Sequence, residues 1–216
     1  MDHRQRIVAA VLLTFMITVS VGFLTEYIRE SMTFSWSIEE GDQFMYDVSV
    51  TGITTTGTTD LPPPFVEMNN TRIHVEVMSL PNVSIVFYSD SFIDNIVDYE
   101  KTSSQFANGT TIPLEFRYGI NSHISRCLLP IGGWSHLDNL FPNQIRLSHI
   151  EHETYLSVHL RTSFFFGYSS NDSYDVHKWQ AIIDVTTGIP MIVWFYFYRP
   201  SQPWSYWYNV TLSLVI

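Results

Sequence analysis

The sequence predicts a mainly β domain, an antiparallel sheet of about nine strands with one or two short helices, preceded by an N-terminal transmembrane helix. Three observations carry this expectation. Apolar and polar residues alternate with period two from residue 33 onward, the mark of half-buried strands. Aromatic residues make up 15% of the chain and charged residues only 15%, a balance that favours strands. One uncharged run near the N-terminus is long enough to enter a bilayer. The βαβ alternation of a parallel sheet is missing. Half-barrel and sandwich-like arrangements both satisfy the pattern.

The uncharged run is Ile7 to Leu24, eighteen residues preceded by Arg4 and Arg6 and followed by Glu26, Arg29 and Glu30. It reads as a signal anchor, because secretory apolar regions are shorter and end in an A-x-A-like site, for which Ser20-Val21-Gly22 is a poor substitute. The arginines stay inside and the remaining chain is exported. This divides the sequence into residues 1–32, anchor and juxtamembrane linker, and residues 33–216, one extracytoplasmic β-rich domain. The expected location is the cell membrane, single-pass, with a cytoplasmic N-terminus. Sequons at Asn69, Asn82, Asn108, Asn171 and Asn209 exceed the roughly two expected by chance and agree with an exported glycoprotein.

Strands are expected at Phe34/Trp36/Ile38, Phe44/Tyr46/Val48/Val50, Ile73/Val75/Val77, Val83/Ile85/Phe87, Ile112/Leu114/Phe116/Tyr118, Leu156/Val158/Leu160 and Trp179/Ala181/Ile183/Val185. Residues 51–70 are rich in Thr, Gly and Pro and read as a long loop. Phe92, Ile93, Ile96 and Val97 have helical spacing, with Asp90, Asp94 and Asp98 on the other side, which predicts a short amphipathic helix. A second is expected at 134–142, where Ser135 and Asp138 resemble a capping box and Pro142 a stop.

Residues 191–210 contain nine aromatic residues and close the fold as two strands around Arg199-Pro200-Ser201-Gln202-Pro203. Eight residues before that break are too few for a membrane helix. If the Asn209 sequon is glycosylated, its face must be solvent, which turns the opposite face, Trp204 to Leu214, inward. Burying Val193, Phe195 and Phe197 on that side requires paired residue numbers to sum to an odd value, such as 198 with 203. Trp194, Tyr196, Tyr198 and Trp207 are then left as an aromatic surface platform.

Candidate chemistry is sparse. Nine Arg and two Lys against twenty-one acids exclude the electrostatic footprint of a nucleic-acid binder. Cys127 is the only cysteine, so no internal disulfide or CxxC site exists, and a small core residue is its natural role. His149, Glu151, His152 and Glu153 are the densest polar group, but the H-E-x-x-H order is missing and strand geometry would send His149 and His152 to opposite faces. A polar turn is the better reading than a metal site. The three aspartates at 90, 94 and 98 are too far apart on a helix to wrap calcium. No nucleophile elbow, Walker A loop or dinucleotide fingerprint is present. Neither cofactor nor catalytic residue is predicted.

Three motifs taken together, Trp36-x-x-x-x-Gly41-Asp42-x-Phe44-x-Tyr46, Pro130-x-Gly132-Gly133-Trp134 and Asp184-x-x-Thr187-Gly188, resemble uncharacterised archaeal membrane-anchored surface proteins with a β-rich ectodomain. The resemblance spans most of residues 33–198 and carries no activity with it. At the level of fold alone, the late D-x-x-T-G strand end is similar to half-barrel lipoprotein carriers, whose lipid-attachment cysteine this chain lacks. The expected role is therefore a non-catalytic, membrane-tethered extracytoplasmic domain for surface recognition or scaffolding, held by residues 7–24, with a protein or lipid partner. The alternatives are a carrier of an apolar ligand such as a lipid in a curved sheet and, less favoured, a metal-dependent hydrolase around His149 and His152.

Overall fold

Strand after strand, the chain adds to one antiparallel sheet, most of whose interior strands bury apolar residues on one face. The strand His152–His159 is the exception, burying Tyr155 and Ser157 while the expected inward residues Leu156 and Val158 are 38% and 41% exposed. The computed structural model describes residues 34–56, 59–86, 89–134, 137, 144–147, 152–171, 175–200 and 204–216, with Met16. The strands are β1 (Gln43–Thr56), β2 (Thr59–Leu61), β3 (Thr71–Val77), β4 (Thr102–Phe106), β5 (Gln144–Leu147), β6 (His152–His159), β7 (Ser163–Asn171), β8 (Val176–Asp184), β9 (Pro190–Arg199) and β10 (Trp204–Leu214). Their order is β4-β3-β1-β10-β9-β8-β7-β6-β5, with β2 pairing β1 beside that path. The chain divides into two units, Met1–Thr33 and Phe34–Ile216. The expected anchor, residues 7–24, lies outside the described residues apart from Met16, and among the described residues no helix is long and apolar enough to cross a membrane.

Two longer helical elements among the described residues lie on the inner face. α1 (Ser89–Phe92) continues into a π-helical turn, Ile93–Val97, and α2 spans Leu114–Cys127. α2 packs against both β4 and β8. Those strands are five places apart, about 24 Å in a flat sheet, whereas a helix with its side chains is about 10–12 Å across. The sheet therefore curls around α2. Its inner face presents Tyr46, Val48 and Val50 from β1, Ile73 and Val75 from β3, Trp179, Ala181 and Ile183 from β8, Val193 and Phe195 from β9, and Val210 and Leu212 from β10. Against these pack Ile120, Ile124 and Cys127 of α2 and Phe92, Ile93, Ile96 and Val97 of the first helical element, all with essentially no exposed surface. Each such side chain contributes about 1.5–3 kcal/mol by burial.

The sequence reading needs correction in several places. Ile112 to Tyr118 is not a strand. The alternation stops at Gly119, and the inward residues Phe116, Ile120, Ile124 and Cys127 recur at helical spacing while Leu114 and Tyr118 are each 70% exposed. Val83 to Ile85 is a 3-10 turn, because the Asn82 side chain accepts the Ser84 N–H at 2.9 Å and folds the chain back. The run at residues 34–38 makes only the bridge Ser35↔Ile131. Residues 51–70 are not one loop: β1 continues to Thr56 and pairs with β2. The first predicted helix forms with the expected buried face. Of the second, Trp134 and Leu137 are helical and the other positions lie outside the described residues.

Candidate functional site

The sheet's outer face is the side opposite α2, and its character is set by β7 to β10. Along β8 the inward residues are Trp179, Ala181 and Ile183, which leaves Lys178, Gln180 and Ile182 facing out. On β9 the outward set is Ile192, Trp194, Tyr196 and Tyr198, and on β10 it is Ser205, Trp207, Asn209 and Thr211. The β9–β10 register pairs Tyr198 with Trp207 and Tyr196 with Asn209, an odd sum as expected, displaced by four residues along β10 from the 198–203 match. Trp207 and Tyr198 thus lie side by side at 39% and 37% exposure. Between the strands lies a groove of about 290 Å³ lined by Phe165, Lys178, Gln180, Trp194, Tyr196 and Asn209.

Gly167 is the cross-strand neighbour of the groove residue Gln180. It faces out on β7 opposite Gln180, and a Cβ there would come within 3.1 Å of the Gln180 side chain. The groove walls are side chains on interior strands paired on both edges, so their positions are fixed by the sheet. Lys178 has no ion-pair partner among the described residues. Its cross-strand neighbours Ser169 and Tyr196 are uncharged. Chemically, the groove offers ring faces, two amides and one ammonium. That set contains no nucleophile paired with a base.

No protein-family model matches the chain, and no curated protein matches it. Among solved structures, a mutant of the vaccine antigen Transferrin Binding Protein B from Haemophilus parasuis aligns with 85% of this chain at 6% identity and a TM-score of 0.27. The chain spans 28% of that protein's length. So distant a likeness carries no argument about fold relationship or ligand.

The remaining predicted sites scatter. Asn82 and Asn108 sit on exposed turns, each with its side-chain oxygen accepting the N–H and hydroxyl of the Ser84 or Thr110 two positions on. Asn69 accepts the Val50 N–H at 2.9 Å and helps hold the turn before β3. Asn171 ends β7, exposed. His149 and Glu151 lie outside the described residues, and His152 opens β6. Among the described residues no group of three or more His, Cys, Asp or Glu could hold a metal.

The three motifs behind the surface-protein resemblance meet in space as a structural clasp. The Ser37 hydroxyl donates to Thr187 O, Leu129 N–H donates to Gly188 O at 3.0 Å, and the Trp134 indole donates to Val185 O at 2.9 Å. Asp184 Oδ1 accepts from the N–H and hydroxyl groups of both Thr186 and Thr187, and these bonds hold its carboxyl below the ordinary range. Tyr46 donates its hydroxyl to Pro190 O at 2.8 Å in the core.

Two buried polar clusters went unseen in the sequence. His123 of α2 stacks on Phe195 at 4.2 Å and lies with its Nε2 3.0 Å from Nε2 of His177 on β8. Its Nδ1–H donates to Gly119 O, which leaves His123 Nε2 as the acceptor and His177 as the donor of that contact. Burial lowers both imidazoles, His123 to about 3 and His177 to about 4, with Arg126 adding to both. Lys101 is fully buried and donates to Ile96 O, Tyr99 O and Ser125 O, tying the π turn to the end of α2. Burial draws the amine down to about 7, but three carbonyl acceptors require three N–H groups and hold it as an ammonium. Beside it, burial pushes the Cys127 thiol up to about 12, leaving an inert core residue. The i, i+4 pair Gly119/His123 and the lone lysine between two apolar segments were the available signals; neither states its partner.

Proposed function

We propose that the chain is a non-catalytic recognition domain, exported and tethered at the membrane through residues 7–24, which meets its partner on the outer face of β7 to β10. The observation that carries this reading is the groove lined by Trp194, Tyr196, Lys178, Gln180 and Asn209, with Tyr198 and Trp207 exposed beside it. Large aromatic side chains left partly in water on rigid strands are the common currency of binding surfaces. The inner face speaks less for an apolar-ligand carrier, since Ile120, Ile124, Cys127 and Phe92 fill it with the chain's own side chains. Export and the excess of sequons belong together. Protease added to intact cells should digest residues 34–216 while sparing a cytosolic marker. A purified chain should also adsorb to isolated cell-envelope material and lose that adsorption on Trp194→Ala. Digestion only after the membrane is broken, or adsorption unaffected by Trp194→Ala, sinks the reading.

A further inference from the structure

The groove's polar atoms say what class of ligand it fits. We propose that it binds a saccharide carrying a carboxylate, with sugar rings lying on Trp194 and Tyr196, hydroxyls bonded by Gln180 and Asn209, and the acid group met by Lys178; this rests on the recognition reading above. Three observations point there.

First, the site offers no backbone. β8, β9 and β10 are each paired on both edges, so an extended peptide cannot add as a strand, the commonest way a sheet takes up a peptide. The ligand must be read by side chains alone. Second, those side chains alternate ring faces with amides over a few ångströms: Trp194 pairs across the sheet with Gln180 and Thr211, and Tyr196 with Lys178 and Asn209. A pyranose presents the same alternation, apolar C–H faces bounded by hydroxyls that both donate and accept, as primary amides do. Third, the charge is of the right sign. The protein carries a net −10, yet among the described outward positions of β7 to β10 short of Asp184 the one charged residue is Lys178, and no acid among the described residues is in ion-pair reach of it. A cation with no ion-pair partner among the described residues, set beside aromatic walls, favours an anionic ligand. The same charge disfavours a second copy of this chain on a two-fold axis, since like faces would oppose Lys178 to Lys178 with no acid to meet either.

The probe is a short oligosaccharide of a uronic acid, with the neutral oligosaccharide of the same ring stereochemistry and linkage as its control, titrated into the full chain while tryptophan fluorescence is recorded. Saturable binding of the uronate, at least about tenfold tighter than the neutral sugar, is expected, equivalent to about 1.4 kcal/mol. Lys178→Gln should remove that preference while leaving residual neutral binding; Lys178→Arg should restore it. Trp194→Ala should abolish both, with the thermal midpoint reporting that the variant is folded. Equal binding of the two sugars, binding of neither, or a preference unchanged in Lys178→Gln overturns the proposal. So does a glycan found on Asn209 of the native chain, because it would occupy the groove. Trp194-dependent adsorption to envelope material with no uronate binding leaves the recognition reading standing and removes only the saccharide; a domain that is not exported removes the former regardless of the titration.

Discussion

Moving the protein from about pH 7.5 to about pH 5 should cost a large part of its stability through two residues, His123 and His177. Both are held neutral in the fold, with values lowered to about 3 and about 4 by burial and by the neighbouring Arg126. In the unfolded chain a histidine titrates near 6.5. Below that value the unfolded state takes up protons that the folded state refuses, so stability falls as pH falls. At about pH 5 each site is about 1.5 pH units below its unfolded value; at 1.36 kcal/mol per unit that is about 2 kcal/mol each and about 4 for the pair. Against a total of about 5–15 kcal/mol for a domain, this is a major loss. The lowered carboxyls of Asp47, Asp175 and Asp184 do not confuse the window, because stability held by them is lost only below about pH 4. Urea unfolding followed by tryptophan fluorescence at the two pH values reads the difference from the midpoint at constant slope. His177→Gln, whose amide can still donate to His123 Nε2, should remove about half of the pH dependence. Equal midpoints at the two pH values, or an undiminished drop in the variant, would refute the burial argument.

Lys101→Met should lower stability by about 3 kcal/mol or more, since Ile96 O, Tyr99 O and Ser125 O would each lose a buried donor, and calorimetry would register it. Little change would mean that water replaces the ammonium. Gly188→Ala should damage the clasp: the residue has φ 69°, and an added Cβ would fall 1.9 Å from Leu129 O, so the β8–β9 turn must move. The expected readout is a clearly reduced thermal midpoint with altered Trp134 fluorescence, and an unchanged protein would show the contact to be soft.

What the sequence reveals and hides follows from which faces of each element meet water. β1, β3, β8 and β10 are legible because one face is buried and the other largely polar, which writes period two into the residues, whereas β9 is apolar or aromatic on both faces and is marked instead by its length before the Arg199-Pro200 break. β7 is missed for the opposite reason. Phe164, Phe165 and Phe166 are consecutive, so no alternation survives; Phe164 and Phe166 face the core and Phe165 lies in the outer groove. The unbroken aromatic run that conceals the strand is thus the trace of the groove. Ile112 to Tyr118 deceives in reverse, since a helix beginning with exposed Leu114 and Tyr118 imitates alternation until its buried stripe emerges at Ile120 and Ile124. The parity of the β9–β10 register could be read because a glycan on Asn209 would require its face to be outward, a constraint independent of hydrophobicity. Lys178 and Gln180 follow from the alternation of β8, but only strand order puts them beside Trp194 and Tyr196. The same holds inside the fold, where His123 and His177 meet because the sheet curls around α2, a fact of curvature that no local pattern encodes. Composition and periodicity specify what each strand buries; the site arises where neighbouring strands depart from that pattern together.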